Sequence, residues 1–238
     1  MKRLFLELGG KSADIVFEDA DYTTKMAMAS MVCTHAGQGC AMPTRMLVQQ
    51  SIYDECVDLA GAAFEAFPYG DPNDMGNLMG PLVSKKQRER VLGYIEKGKA
   101  EGARVVVGGG RPEQFDKGWF VQPTLFADVT NDMTIAREEI FGPVLIVIPF
   151  DGDDEAVRMA NDNQYGLGGY VTSGNEERAL AVGRQLRAGT VSINGGVTYG
   201  PDAPFGGYKA SGVGRQNGIE GFQQYTEVKT YGVNVPAE

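Results

Sequence analysis

The segment GYVTSGNEERALAVGRQLRAGTVSIN, residues 169–194, decides the fold. Gly169 to Thr172 predicts a strand, Glu176 to Arg187 a helix, and Thr190 to Asn194 a second strand. The same alternation runs outward in both directions. Ala13 to Phe17, Arg45 to Val48, Arg104 to Val107, Trp119 to Phe126 and Val144 to Phe150 read as further strands. A helix capped by Asp19 or Asp21 carries Met26, Ala29, Val32, Cys33 and Ala36 and ends at Gly37. Tyr53 to Phe67, a helix capped by Ser84, and Asp154 to Asn161 complete the helices. Strands separated by helices of about 10–15 residues imply βαβ units and a mostly parallel sheet covered on both faces. The expected fold class is therefore α/β, a three-layer βαβ domain.

Composition narrows the function. The chain has 238 residues, 42% of them hydrophobic and 22% charged, as in a globular protein. Its 22 Lys and Arg against 31 Asp and Glu give a net charge of -9. That balance argues against nucleic acid and against an anionic membrane surface as partners. The basic cluster Lys85-Lys86-Gln87-Arg88-Glu89-Arg90 contains a glutamate and reads as a solvated helix face. Cys33, Cys40 and Cys56 are odd in number and form no CxxC pair, which suggests a reducing, cytoplasmic setting without disulfides. No apolar run reaches the eighteen or so residues of a membrane span, and Glu7 interrupts the start too early for a signal peptide.

Glycine is abundant: 33 of 238 residues, about 14%, roughly double the usual share. Nine fall within residues 194–221, a segment with little periodicity that is expected to be ordered and functional. Phosphate cradles do not explain them. Gly212-x-Gly214 is followed by Asn217 where a GxGxxG motif needs its third glycine, and Phe5 stands where a P-loop ending in Gly10-Lys11-Ser12 needs its first. His35, the single histidine, leaves zinc sites and Ser-His-Asp triads poorly supported. The sharper feature is Ala36-Gly37-Gln38-Gly39-Cys40-Ala41, a thiol between glycines where a substrate can approach closely. Taken alone it reads as a packing cysteine or a nucleophile; Cys33 and Cys56 fall on apolar helical faces.

Five segments carry a resemblance. Leu6-Glu7-Leu8-Gly9-Gly10-Lys11-Ser12 and Gly37-Gln38-Gly39-Cys40 resemble the two signature segments of the aldehyde dehydrogenase superfamily. Glu138 to Val144, Asn161 to Leu167 and Pro204 to Arg215 are similar to three further blocks, in family order across nearly the whole chain. The resemblance implies that Cys40 attacks an aldehyde to give a thiohemiacetal. Hydride then passes to NAD or NADP, leaving a thioester, and Glu7 acts as general base. It also implies that the backbone N–H of Cys40 helps hold the oxyanion. Glu139 matches the residue that holds the nicotinamide ribose, Phe141 lies against the same end of the cofactor, and Gln87 matches a further cofactor contact. The substrate-lining positions it implies are Thr34 and Val197-Thr198-Tyr199.

In the family a nucleotide-binding domain precedes the Leu6–Ser12 block, so the chain is expected to be the C-terminal, cysteine-bearing portion. On this expectation residues 1–223 form the catalytic domain and residues 224–238 a C-terminal strand that pairs across a homo-oligomer. The chain alone is expected to lack appreciable dehydrogenase turnover. Two rivals stand beside this reading: a non-catalytic assembly module, and a cofactor-independent thiol esterase using Cys40 and Glu7. His35 replaces the asparagine common in the family and leaves a Cys40–His35 dyad open. The loop glycines are expected to admit substrate or cofactor.

Overall fold

The structure is a computed structural model that describes residues 2–196, 198–234 and 236, the side chains of Tyr22 and Met26 excepted. In chain order the strands are β1 (Leu6–Glu7), β2 (Ser12–Val16), β3 (Pro43–Gln49), β4 (Arg104–Val107), β5 (Thr124–Ala127), β6 (Val144–Phe150), β7 (Tyr165–Gly166), β8 (Gly168–Thr172), β9 (Thr190–Ile193), β10 (Tyr208–Lys209) and β11 (Gly212–Val213). The helices are α1 (Tyr22–Met31), α2 (Tyr53–Glu65), α3 (Lys85–Ala100), α4 (Thr134–Arg137), α5 (Asp153–Asn161), α6 (Glu176–Gly183) and α7 (Gly218–Gln223).

Seven strands form one sheet in the order β4-β5-β6-β3-β2-β8-β9. Every neighbouring pair is parallel except β4 and β5, which leaves one antiparallel edge strand. All of β2 is buried, as is nearly all of β3 and β6, the pattern of strands covered on both faces. Helix α1 packs on α2 and β3, α2 on β3, β4 and β5, α5 on β2, and α6 on β8 and β9. The three-layer α/β architecture is as expected from the sequence.

Local chemistry sets the helix starts. The side chains of Asp21, Ser84 and Asn175 accept hydrogen bonds from the backbone N–H groups of Thr24, Gln87 and Arg178, at 3.1, 3.2 and 3.1 Å. Asp153, Asp154 and Glu155 place negative charge on the first turn of α5. Arg178 lies 3.8 Å over the Phe17 ring and chelates Asp153, joining α6, β2 and α5 at the carboxyl ends of the strands.

Two expectations need correction. The helix expected to run to Gly37 stops at Met31, because His35 and Ala36 adopt left-handed backbone (φ 54 for both) ahead of Gly37 at φ 68. The side chain of Met26, expected on its apolar face, lies outside the described residues. The strand expected over Trp119 to Phe126 begins only at Thr124, since Pro123 has no N–H to give a ladder. The tail from residue 224, whose expected partner is another subunit, carries no strand within this single chain among the described residues; residues 235, 237 and 238 lie outside them. Tyr225, Val228, Tyr231 and Val233 stand exposed, while an Arg3–Glu227 ion pair and an Arg3 hydrogen bond to the Thr226 carbonyl (2.9 Å) hold the root of the tail.

The described residues of 194–221 include regular elements, and at Gly212 the glycine serves a close backbone approach. The segment contributes β10, β11 and α7; β11 pairs antiparallel with β1, Leu6 opposite Val213 and Glu7 opposite Gly212. A Cβ on Gly212 would overlap the Leu6 carbonyl oxygen. Glycine there lets one backbone lie directly on another and does not open a path for a ligand.

Gly37 and Gly102 both have positive φ, but only Gly37 is also crowded: its Cβ would overlap the Gly142 carbonyl, whereas nothing lies within 4 Å of a Cβ on Gly102. Gly37→Ala is expected to cost more than about 3 kcal/mol and Gly102→Ala about 1–2 kcal/mol. Urea midpoints measure both; equal losses would mean that backbone strain, not crowding, dominates at Gly37.

Candidate functional site

The candidate residues gather at the amino ends of the central strands. Glu7 sits on β1, a few residues ahead of β2; Cys40 precedes β3; Glu139 and Phe141 precede β6; Gly166 and Leu167 lead into β8. Open α/β sheets ordinarily take ligands at the other end, outside the carboxyl ends of their strands. Here the segments entering the strands are packed backbone against backbone. A Cβ on Gly10 would overlap the Cys40 carbonyl, and a Cβ on Gly9 would run into the Glu139 carboxylate.

Cys40 is partly buried beside Ala41, Leu167 and Phe205. Burial pushes its thiol up to about 11, and the nearby Glu7 carboxylate pushes it in the same direction. The backbone N–H groups of Ala41 and Cys40 act in the opposite sense. Glu7 Oε1 is buried and has no hydrogen-bond partner among the described residues. A thiol, a carboxylate able to take its proton, and backbone N–H groups at the sulfur make a constellation suited to covalent carbonyl chemistry. Cys33 and Cys56 are fully buried, and burial raises them to about 12 and about 11. They are packing residues.

Glu139 is half-buried, which raises its pKa, and its Oε1 accepts the Gly10 N–H at 3.0 Å. Phe141 has left-handed backbone, φ 59. Gln87 Nε2 donates to the Phe141 carbonyl at 2.7 Å and to the Ile140 carbonyl at 3.3 Å, and Arg90 donates to the Glu139 carbonyl at 2.6 Å. These residues line one open groove with Lys86. The structure thus brings Gln87, Glu139 and Phe141 together, and the Gly9–Gly10 contact joins them to the Glu7 segment. Gln87 reaches this groove as a brace on the loop carbonyls.

His35 is exposed and enters the described hydrogen bonds through its carbonyl, which accepts from the Gln38 backbone N–H and side chain, both at 3.1 Å. Its φ of 54 accounts for the residue type, since histidine and asparagine both tolerate that region better than most side chains. Nothing joins its ring to Cys40. Thr34 is exposed in the same turn. Thr198 and Tyr199 line a narrow cavity with Ala41, Tyr170 and Ser192, and the Tyr199 ring lies 5.1 Å from Phe205. Val197 falls outside the described residues.

Sequence reasoning missed Tyr170. Its hydroxyl donates to the Ala41 carbonyl at 2.7 Å, pinning the peptide that follows the nucleophile candidate. The available signal was an aromatic on the central strand Gly169–Thr172, which was read as fold alone.

Comparison with known proteins follows from this geometry. A family model described as the aldehyde dehydrogenase family matches residues 1–231. A geranial dehydrogenase of Castellaniella defragrans is 49% identical over 97% of this chain and 48% of its own length. A betaine aldehyde dehydrogenase of Brucella anthropi is 46% identical over 97% of this chain and 48% of its own length. Among solved structures, a Bacillus cereus aldehyde dehydrogenase in complex with NAD+ superposes with a TM-score of 0.94 at 46% identity, covering 99% of this chain and 48% of the other. A Mycobacterium tuberculosis aldehyde dehydrogenase complexed with NAD+ gives 0.91 at 50% identity, covering 94% and 46%. The chain spans about half the length of the curated relatives it matches. Among the described residues no helix is long and apolar enough to cross a membrane, and no group of three or more His, Cys, Asp or Glu could hold a metal ion.

Because the Cys40 thiol is raised to about 11, its alkylation by iodoacetamide should climb steadily through the alkaline range and level off only near that value. Glu7→Gln removes a neighbouring negative charge and should move the midpoint down by about one unit or more. A midpoint unmoved by Glu7→Gln would mean that the carboxylate does not sense the thiol.

Proposed function

The chain belongs to the aldehyde dehydrogenase family, and from that premise we propose that it carries the nucleophile and base for NAD(P)+-dependent oxidation of an aldehyde to a carboxylic acid. The observation that carries this reading is the Glu7 carboxylate close enough to the Cys40 thiol to raise its pKa, with the Glu139–Phe141 groove packed against the neighbouring glycines. Cys40 Sγ attacks the aldehyde carbon while its proton passes to Glu7, giving a thiohemiacetal. The Cys40 backbone N–H faces the developing oxyanion. Once the thiohemiacetal is oxidised, Glu7 takes a proton from the water that attacks the resulting thioester, and the acid leaves.

The residues present fit the cofactor. Glu139 offers a half-desolvated carboxylate at an open groove, suited to accept ribose hydroxyls, and Phe141 offers an aromatic face beside it. Bound there, NAD(P)+ supplies the acceptor for the aldehyde hydrogen. Gln87 and Arg90 keep this loop in place through its carbonyls. Pairing of the exposed tail across subunits of a homo-oligomer, and a reducing cytoplasmic setting for three free cysteines, belong to the same proposal. A second reading, thiol esterase chemistry, draws on the same observation, because the Cys40–Glu7 pair is assembled within this chain.

Hydrolysis of p-nitrophenyl acetate separates the steps. The chain should release a burst of p-nitrophenol stoichiometric with Cys40, and Cys40→Ala should abolish it. Glu7→Gln should keep the burst amplitude and slow steady release about 10²–10⁴-fold. A burst surviving Cys40→Ala would overturn the assignment of the nucleophile. With aldehyde and NAD+, little NADH is expected from this chain by itself; sustained multiple turnover would overturn its dependence on contacts beyond residues 1–238.

A further inference from the structure

Lys11 and Arg45 are both buried, with 2% and 1% of their surface exposed, and they share one cavity. Ser12, Asn161, Tyr165 and Arg187 complete its polar wall. Arg45 is held entirely by neutral oxygens: the carbonyls of Lys11 (3.0 Å), Met159 (3.1 Å) and Ala160 (3.0 Å), and Asn131 Oδ1 (2.9 Å). Lys11 Nζ has no hydrogen-bond partner at all. Neither cation belongs to any ion pair among the described residues.

A buried ammonium with neither acceptor nor counter-ion is costly by several kcal/mol. Two states relieve it: loss of its proton, or an anion beside it. Burial and the repulsion of Arg45 lower Lys11 to about 7, while Glu139 pulls the other way. The other charged or titratable groups around the cavity are Tyr165 on β7, Arg187 after α6, Arg137 on α4, Asp162 after α5 and Lys209 on β10, of which Asp162 is the one acidic group acting on Arg45. Glu139 spends its Oε1 on the Gly10 N–H and makes no ion pair with Lys11. The two states therefore lie close together near neutral pH, and an anion would draw a proton onto Lys11 as it bound.

We propose that this cavity is a binding site for one small monovalent anion of chloride size, held by the Lys11 ammonium and the field of Arg45. The cavity has room for a single water-sized guest, which excludes sulfate and larger organic anions. The two buried cations supply the charge that water alone would not answer. No step of the proposed aldehyde chemistry uses this site.

Thermal unfolding of the chain in sodium chloride and in sodium gluconate at matched ionic strength tests the site. At about pH 6, chloride at about ten times its half-saturating concentration should raise Tm by about 3–6 °C over gluconate. At about pH 9, where Lys11 has lost its proton, the two salts should give the same Tm. Lys11→Met should remove the chloride effect at about pH 6. Equal Tm in both salts at about pH 6, or a chloride effect that survives Lys11→Met, would overturn the proposal. Crystals of the unaltered chain soaked in bromide provide a reading that needs no variant. An anomalous peak within hydrogen-bond reach of Lys11 Nζ is expected, and a water alone at that place would overturn the site.

Discussion

At the amino ends of the central strands, peptide backbones meet with no space for a side chain between them. Gly37 lies on the Gly142 carbonyl, Gly10 on the Cys40 carbonyl, Gly9 on the Glu139 carboxylate and Gly212 on the Leu6 carbonyl. These contacts draw four segments that are distant in sequence into one compact rim. Since each segment runs directly into a buried strand or pairs beside one, the rim inherits the rigidity of the sheet. Glu7, Cys40 and Glu139 are neighbours because their backbones are. The left-handed residues His35, Ala36 and Phe141 sit on the same rim, where strain of this kind commonly accompanies a site that the surrounding packing over-determines.

Electrostatics in and beneath the rim are poorly compensated. Cys40 is kept protonated by burial and by Glu7, and Glu139 is raised by its own burial. Asp14, one strand position away from the site, is fully buried with both oxygens unpartnered and is pushed up to about 7. Such groups do not stabilise the fold; the continuous apolar faces of β2, β3 and β6 do. A desolvated thiol beside a carboxylate is poor as an isolated nucleophile. It becomes effective when a bound carbonyl gives the sulfur something to attack as the proton leaves.

The sheet was legible in the sequence because its strands are buried on both faces and separated by capped helices, a pattern that survives without any tertiary knowledge. The misread places are those where tertiary contact overrides the local pattern. Apolar spacing carried the first helix to Gly37, but docking on Gly142 turns the chain left-handed at His35. Gly212, in a segment whose glycines suggested ligand access, instead lies directly on the Leu6 carbonyl. Cys40 and Glu7 were legible from motif resemblance. The bond from Tyr170 to the Ala41 carbonyl and the buried pair Lys11 and Arg45 were not, because neither hydrogen bonding nor burial can be read from residue type alone.

If the packed rim is what holds the nucleophile in place, Gly10 is the point that bears on it directly, because an added methyl there must push against the Cys40 carbonyl. The most direct measurement is the second-order rate of Cys40 acylation in Gly10→Ala, with far-UV circular dichroism confirming that the variant is folded. A fall of about tenfold or more is expected, since a displacement of about an ångström can cost that much or more in rate. A folded Gly10→Ala whose Cys40 acylates at the unaltered rate would contradict the claim that backbone packing at the strand ends positions the site.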